Sequence, residues 1–342
     1  MALHTEAPYA WQQQHWQSLC RQRQKNRLSH AFLICGDTGL GKRDFALSFA
    51  RLLLCQSSTD NQSCGNCRSC RMGQSGHHPD LRFICAEEGS KVITIDQVRA
   101  LLEFVSMTSH AGGCKIALLD RADSLNRNAA NALLKTLEEP TDNTFLFLIT
   151  DSPGTLLPTI HSRCQHLNFT EPTREVARTW LASQLAEGDI DAALTASGNR
   201  PLQALSMLEA GHIESRAQIL QSLHGILCQQ LKPEEFVKFA VATGELLVMG
   251  HLSNILSILI KYLLTRQSSL VTEATLAELA RVLARLSDDR ATIVEDLLVL
   301  HGEVELAKRQ LRGVSNPNPQ LIVESLIWRW TKLATRAGSA AA

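Results

Sequence analysis

The sequence predicts an α/β domain with a five-stranded parallel sheet, followed by a second half made of helices alone. Up to about residue 170, short apolar strands alternate with segments whose apolar residues recur at helical spacing, as in strand–helix–strand units. From Glu171 onward the strand signals disappear and segments rich in Leu and Ala follow. We therefore expect a sheet-containing domain over residues 1–169, a small helical domain over 170–210 and a C-terminal helical domain over 211–335.

Composition and charge narrow the class of protein. The chain has 342 residues, with 34 basic and 34 acidic side chains and a formal net charge of +0, so no overall field attracts nucleic acid. We see no N-terminal signal segment. The longest apolar stretch, 246–264, spaces its leucines as a buried amphipathic helix does rather than as a membrane span. We expect a cytoplasmic protein, outside the membrane, whose ten cysteines are mostly reduced thiols.

The first predicted elements surround a glycine-rich loop. Residues 9–28 are predicted to form a helix, and Phe32 to Cys35 a short buried strand. Three glycines and a lysine then follow at the G-x-x-x-x-G-K spacing, directly before a helical pattern: Gly36, Gly39, Gly41 and Lys42. In a P-loop of this kind, backbone N–H groups and the helix N-terminus surround phosphate oxygens, and the lysine neutralises them.

Four of the cysteines lie close together after the P-loop helix. Their spacing is C-x8-C-x2-C-x2-C, formed by Cys55, Cys64, Cys67 and Cys70. Tetrahedral Zn²⁺ takes four thiolates at about 2.3 Å, which closes its coordination shell, so we expect a structural zinc rather than a catalytic one. The alternative is four unconnected thiols in a polar loop. His77 and His78 could replace a cysteine, but we expect both at the surface.

Two further strands and a helix follow the cysteine segment. Residues 81–86 are predicted to form the second strand, and Thr94 and Asp96 are candidate caps of a helix over 97–107. The third strand covers 115–120 and is apolar enough to be buried on both faces.

Two positions lack the residue types that nucleotide hydrolysis needs. A hydrolysing P-loop carries Ser or Thr after its lysine as a Mg²⁺ ligand, whereas this chain has Arg43, which has only donors. Asp120 ends the third strand, where ATPases keep an acid that orients the metal. The next residue, which would polarise the attacking water if it were Glu, is Arg121. We expect neither tight binding of Mg-ATP nor turnover.

Two short sequences come before the end of the α/β half. A helix over 126–139 is followed by Pro140, and it contains the run Asn-Ala-Leu-Leu-Lys-Thr-Leu-Glu-Glu-Pro over 131–140. After a fourth strand over 145–150, the tripeptide Ser162-Arg163-Cys164 precedes a fifth strand over 166–169.

Together, the P-loop, the cysteine segment, the strand-end acid and these two short sequences resemble bacterial clamp-loader subunits of the AAA+ superfamily. The resemblance is strong over about residues 25–170. Within DNA polymerase III, the chain is more similar to delta-prime subunits, in which the nucleotide site has decayed, than to the ATP-hydrolysing gamma/tau motor, which remains an alternative. The resemblance implies an AAA+ P-loop domain (1–169, with a zinc module at 55–70), a helical lid (170–210) and a collar (211–335).

The same resemblance implies a role and partners. Arg163 would act as an arginine finger, supplied in trans to the ATP site of a neighbouring motor subunit. The alternative for Arg163 is an ordinary surface arginine paired with a carboxylate. The implied partners are motor subunits and a delta-type subunit in a five-membered ring that loads a sliding clamp onto primed DNA, as part of the polymerase III holoenzyme. A zinc-dependent nucleic-acid-binding module is a further alternative, which the neutral charge balance disfavours.

Overall fold

Five parallel strands form one sheet in the first half of the chain. In a computed structural model, which describes residues 7–87, 90–110, 113–185, 188–271, 273–285, 290–312 and 317–340, the sheet order is β2-β3-β4-β1-β5. The strands are β1 (Ala31–Cys35), β2 (Leu81–Ile84), β3 (Lys115–Leu119), β4 (Thr144–Thr150) and β5 (Gln165–Asn168). All five predicted strands are therefore confirmed, each within two residues of its expected bounds.

The strand β1, which leads into the P-loop, lies in the interior of the sheet. Cys35 at its end is in register with Thr150 of β4 and with Asn168 of β5. Because the strands are parallel, their carboxyl ends lie at one edge of the sheet, where ligand sites of open α/β folds form. This order, with a P-loop after β1, confirms the predicted α/β half with its five-stranded parallel sheet.

Helices cover both faces of the sheet. The helices of this half are α1 (Gln13–Gln24), α2 (Lys42–Leu54), α3 (Arg68–Gln74), α4 (Ile95–Ser106), α5 (Arg127–Glu138) and α6 (Pro158–His161), and α7 (Arg174–Gln184) follows them. Side chains alternate across a strand, so Phe32 and Ile34 of β1 enter one hydrophobic cluster and Leu33 enters the other. The first cluster includes residues of α1 and α2, and the second includes residues of α4, α5 and α6.

Local capping residues set the helix bounds. Thr94 caps α4 in a capping box with Gln97, and Asn126 caps α5 by accepting from the N–H of Ala129. Of the two candidate caps, Asp96 is wrong: it lies in the first turn of α4 and forms an ion pair with Arg99 instead.

The second half of the chain is helical, as predicted. Its helices are α8 (Ile190–Ser197), α9 (Pro201–Glu209), α10 (His212–Leu227), α11 (Pro233–Thr243), α12 (Glu245–Thr265), α13 (Ala274–Arg285), α14 (Arg290–Arg312) and α15 (Pro319–Ala340). The chain divides into two compact units, Met1–Ala177 and Arg178–Ala342. The finer division of the helical half into a lid (170–210) and a collar (211–335) stays a prediction.

The helix α12 is long and apolar enough to cross a membrane by length and composition. Its apolar residues instead form part of a helical core that also includes residues of α10, α11, α13, α14 and α15. Val248, Leu252, Ile255 and Leu259 of α12 are all buried in that core. The helix is thus packed as the sequence predicts for a core helix.

Candidate functional site

The loop between β1 and α2 has the backbone of a P-loop. Its three glycines all have positive φ angles, at 144° for Gly36, 89° for Gly39 and 77° for Gly41. A Cβ atom on Gly36 would lie 2.5 Å from the carbonyl oxygen of Phe169, and one on Gly41 would lie 2.5 Å from the ring of Tyr9. Glycine is therefore required at both positions for conformation and for space.

The ammonium group of Lys42 is held within the chain itself. Lys42 Nζ donates to the carbonyl oxygens of Gly36 at 2.6 Å and Asp37 at 2.7 Å, and to Asp151 Oδ1 at 2.6 Å. The side chain is only 5% exposed. A lysine has three N–H donors, and these three acceptors match them. Binding of a phosphate by Lys42 would require at least one of these contacts to break.

An N-terminal segment contacts the P-loop from outside the sheet. Gln12, which is buried, donates from Nε2 to the carbonyl oxygens of Leu40 at 2.9 Å and Gly41 at 3.0 Å. Trp11 Nε1 donates to the same Leu40 oxygen at 3.0 Å. These contacts satisfy backbone carbonyls of the loop and fix its conformation. The sequence indicated a helix here but gave no sign that it would reach the P-loop.

Arg43 lies at the strand-end acid. Its Nη1 is 3.5 Å from Asp120 Oδ2, and its guanidinium carbon lies 4.5 Å from the ring centroid of Phe83. Burial raises the pKa of the Asp120 carboxyl, and the nearby Arg43 charge opposes that rise. A fixed cation thus lies against the carboxylate that orients a metal ion in hydrolysing relatives, and it would repel Mg²⁺ from this position.

The four clustered cysteines come together as predicted. The sulfur atoms of Cys55, Cys64, Cys67 and Cys70 all lie within 4.8 Å of one another, so the cluster can hold a metal ion. Tetrahedral ligands about 2.3 Å from Zn²⁺ are roughly 3.8 Å apart, and the Sγ atoms of Cys64 and Cys70 are 3.9 Å apart.

The surroundings of the cluster also suit thiolate ligands. Backbone N–H groups donate to the sulfurs of Cys55, Cys64 and Cys67 at 3.2 to 3.4 Å. The Ser57 hydroxyl and neighbouring backbone N–H groups lower the pKa of the Cys64 thiol to about 5. Burial raises the pKa of Cys70 to about 12, which a bound metal would oppose by favouring the thiolate.

One histidine near the cluster is not at the surface. His78 is 4% exposed, its Nε2 is 2.7 Å from the Ser69 hydroxyl, and its Nδ1 accepts from the backbone N–H of Asp80 at 3.0 Å. The surface prediction for His78 is therefore wrong, because the adjoining turn buries the ring and engages both nitrogens. His77 is exposed, as predicted.

Arg163 lies on the surface between α6 and β5. Its Nη1 donates to the carbonyl oxygen of Thr159 at 2.9 Å and to the Ser162 hydroxyl at 3.2 Å, and its Nη2 is 2.5 Å from Glu138 Oε1. The side chain is 31% exposed. The carboxylate partner that the sequence analysis left as an alternative is thus present, and it comes from the Glu-Glu-Pro sequence.

Sequence reasoning missed the carboxylates that accept from Lys42 and Arg163. Glu138 gave no signal, because its pairing with Arg163 depends on the packing of α5 near α6. Asp151 did give a signal in the sequence. It follows β4 directly, and β4 neighbours the P-loop strand β1 in the sheet. An acid at the carboxyl end of that strand was therefore a candidate partner for Lys42.

Comparison with known proteins places the chain in a family. The family model described as DNA polymerase III, delta subunit, matches residues 11–173. The delta-prime subunit of DNA polymerase III from Pseudomonas aeruginosa is 34% identical over 328 residues, covering 95% of this chain and 98% of the relative. The Escherichia coli K12 delta-prime subunit is 30% identical, covering 94% of each chain.

The motor subunits match over a shorter region. The tau/gamma subunit of Haemophilus influenzae is 38% identical over 151 residues, covering 44% of this chain and 22% of the relative. A match of that extent covers less than half of the chain, whereas the Pseudomonas aeruginosa and Escherichia coli delta-prime subunits match along nearly all of it. The chain therefore belongs to the family of DNA polymerase III delta-prime subunits.

Proposed function

We propose that this protein is a non-hydrolysing clamp-loader subunit that supplies Arg163 to the ATP site of a neighbouring motor subunit. The family membership carries this proposal. A guanidinium placed against a transferring γ-phosphoryl group stabilises its developing charge and is worth ~10³–10⁵ in rate. The partly exposed position of Arg163, outside its own P-loop, is compatible with donation to another subunit.

The chain's own P-loop supports the non-hydrolysing half of the proposal. Arg43 pairs with Asp120, where a motor subunit needs a metal, and Lys42 is engaged by three oxygen atoms. Mg-ATP would have to displace Lys42 from Asp151 and tolerate the Arg43 charge. The degenerate loop formed by Gly36, Gly39, Gly41 and Lys42 therefore binds nucleotide weakly or not at all.

The partners follow from the family. Motor subunits and a delta-type subunit would complete a five-membered ring in the bacterial cytoplasm, and the ring would act on a sliding clamp and primed DNA. The zinc held by the four cysteines would be structural, since four thiolates leave no open coordination position.

The test is reconstitution of the complex with Arg163→Ala. We expect the complex to assemble and its DNA-dependent ATP hydrolysis and clamp loading to slow. Arg178→Ala is the matched control, because Arg178 is also a surface arginine paired with a carboxylate, at 3.4 Å from Asp191. Equal ATPase rates in the Arg163→Ala and wild-type complexes would remove the finger role.

The second candidate is an ATP-hydrolysing motor of the tau/gamma type, which the partial match to such a subunit favours. Turnover by the purified chain that disappears on Lys42→Ala would establish it. We expect no such turnover, because the metal position and the water-polarising position both carry arginine.

A further inference from the structure

The proposed function leaves the Glu-Glu-Pro sequence without a role. Glu138 is the last residue of α5, and its carboxylate meets the Arg163 guanidinium at 2.5 Å. The two short sequences that carry the family resemblance are therefore in direct contact, although Glu138 and Arg163 lie 25 positions apart in the sequence.

Both partners of this contact lie on anchored backbone. Leu137, next to Glu138, is 2% exposed, and Ile160 in the last turn of α6 is fully buried. The two residues belong to one hydrophobic cluster, so the ends of α5 and α6 are fixed by the same core. A site built on such packed elements holds its side chains more accurately than one on a free loop.

The stability of α5 does not account for Glu138. The C-terminal end of a helix carries partial negative charge, so an acidic residue in its last turn is unfavourable there. The ion pair with Arg163 is also half-exposed, with Glu138 at 50% exposure, and ion pairs of this kind contribute little to folding. An acid at this position is better explained by its effect on the arginine.

We propose that Glu138 is a positioning residue, which fixes the orientation in which Arg163 is presented to the neighbouring subunit. The inference rests on the proposed function of Arg163. Thr159, Ser162 and Glu138 accept three of the five N–H groups of the guanidinium. The remaining two N–H groups serve as donors toward a phosphoryl group outside the chain.

The adjacent Glu139 provides a matched control. It is exposed, it carries the same charge one position further along, and no ion pair to it is found among the residues that the structure describes. A variant of Glu139 therefore changes the local charge equally but leaves the orientation of Arg163 intact.

The experiment measures ATP hydrolysis by the reconstituted complex, containing the full chain and its motor subunits. The quantity of interest is the Arg163-dependent part of kcat, taken as the difference between the wild-type and Arg163→Ala complexes. We expect Glu138→Ala to lower this part about tenfold at unchanged KM for ATP, since loss of orientation at a reacting centre can cost up to ~10²-fold. Glu138→Gln, which keeps an acceptor oxygen, should recover part of the loss, and Glu139→Gln should match the wild type.

A double variant separates positioning from general damage. The Glu138→Ala/Arg163→Ala complex should be no slower than the Arg163→Ala complex, because the glutamate acts only through the arginine. If Arg163→Ala slows hydrolysis but Glu138→Ala does not, the positioning role is overturned while the finger remains. If Arg163→Ala has no effect, the proposed function fails and the positioning role fails with it. If the losses of ATPase rate caused by Glu138→Ala and Arg163→Ala add in the double variant, the positioning role of Glu138 is likewise overturned.

Discussion

At the scale of a single residue, Lys42 shows that a P-loop can be retained while the ammonium group of its lysine binds acceptors of the same chain. In a nucleotide-binding P-loop the lysine neutralises phosphate, whereas here it pairs with Asp151 and two backbone carbonyls. Arg43 takes a similar role toward Asp120. Both cations thus have acceptors within the chain itself.

Removal of the Asp151 carboxylate should destabilise the first unit. We expect Asp151→Ala to lower the free energy of unfolding by about 1–3 kcal/mol, because the 5%-exposed Lys42 ammonium loses a charged hydrogen-bond partner. Urea unfolding measures the change. Asp142→Ala, at an exposed position, is the control and should leave stability within about 0.5 kcal/mol of wild type. An Asp151→Ala variant with the same free energy of unfolding as the wild type would contradict a stabilising role of the Lys42–Asp151 pair.

Among the individual elements, the cysteine segment 55–70 is the one that can hold a metal ion. It lies outside the sheet strands and presents four sulfurs to one point. Cys55 follows the last residue of α2, and Cys67 and Cys70 lie at the start of α3. Because one ion would join these separate elements, we expect metal binding and local folding to be coupled.

The Cys64→Ser variant should therefore release zinc and destabilise the first unit. Metal analysis of the purified protein should find one zinc per wild-type chain and less than one in the variant. Cys85→Ser is the control, since Cys85 is an exposed thiol outside the cluster. Absence of zinc from the wild-type protein would end the structural-zinc assignment.

The helix α12 contains a buried histidine that should make the second unit sensitive to acid. His251 is fully buried, neither ring nitrogen has a hydrogen-bond partner within the described residues, and burial, with Arg216 and His212, lowers its pKa to about 3. The unfolded chain, with a histidine pKa of about 6.5, binds the proton first. Stability is therefore lost as the pH falls from about 6.5 towards 3.

His251→Leu should remove this pH dependence. Between pH 6.5 and 5 the wild type should lose about 1.6 kcal/mol more unfolding free energy than the variant, because the slope is half of 1.36 kcal/mol per pH unit at pH 6.5 and approaches the full value by pH 5. Urea unfolding at the two pH values measures the difference. Equal losses in the two proteins would show that His251 is not held neutral in the folded state.

The sequence predicted those elements whose cause is local. Short apolar runs indicated all five strands, Thr94 marked a helix start, and the cysteine spacing indicated the metal cluster. Contacts between distant segments were missed, such as Gln12 with the P-loop and Glu138 with Arg163, because they depend on how elements pack and leave no periodic pattern. His78 was misplaced for the same reason.

At the scale of the whole molecule, the fold keeps a P-loop, but the cationic side chains of that loop pair with carboxylates of the same chain. The P-loop backbone remains, and the sheet still arranges strand ends around it. Arg43 replaces the Ser or Thr that binds Mg²⁺ in hydrolysing P-loops, and it pairs with Asp120. Arg163, the arginine of the Ser-Arg-Cys tripeptide, lies outside the P-loop. In our proposal the domain thus acts on a neighbour's ATP rather than on its own.

The most direct test is ATP turnover of the purified chain, of the motor subunit, and of the complex reconstituted from both with the remaining subunits on primed DNA. We expect no turnover from the chain alone, and a rate in the complex that exceeds that of the same assembly lacking this chain. Turnover by the chain alone, or a motor that runs equally fast without it, would contradict the proposal.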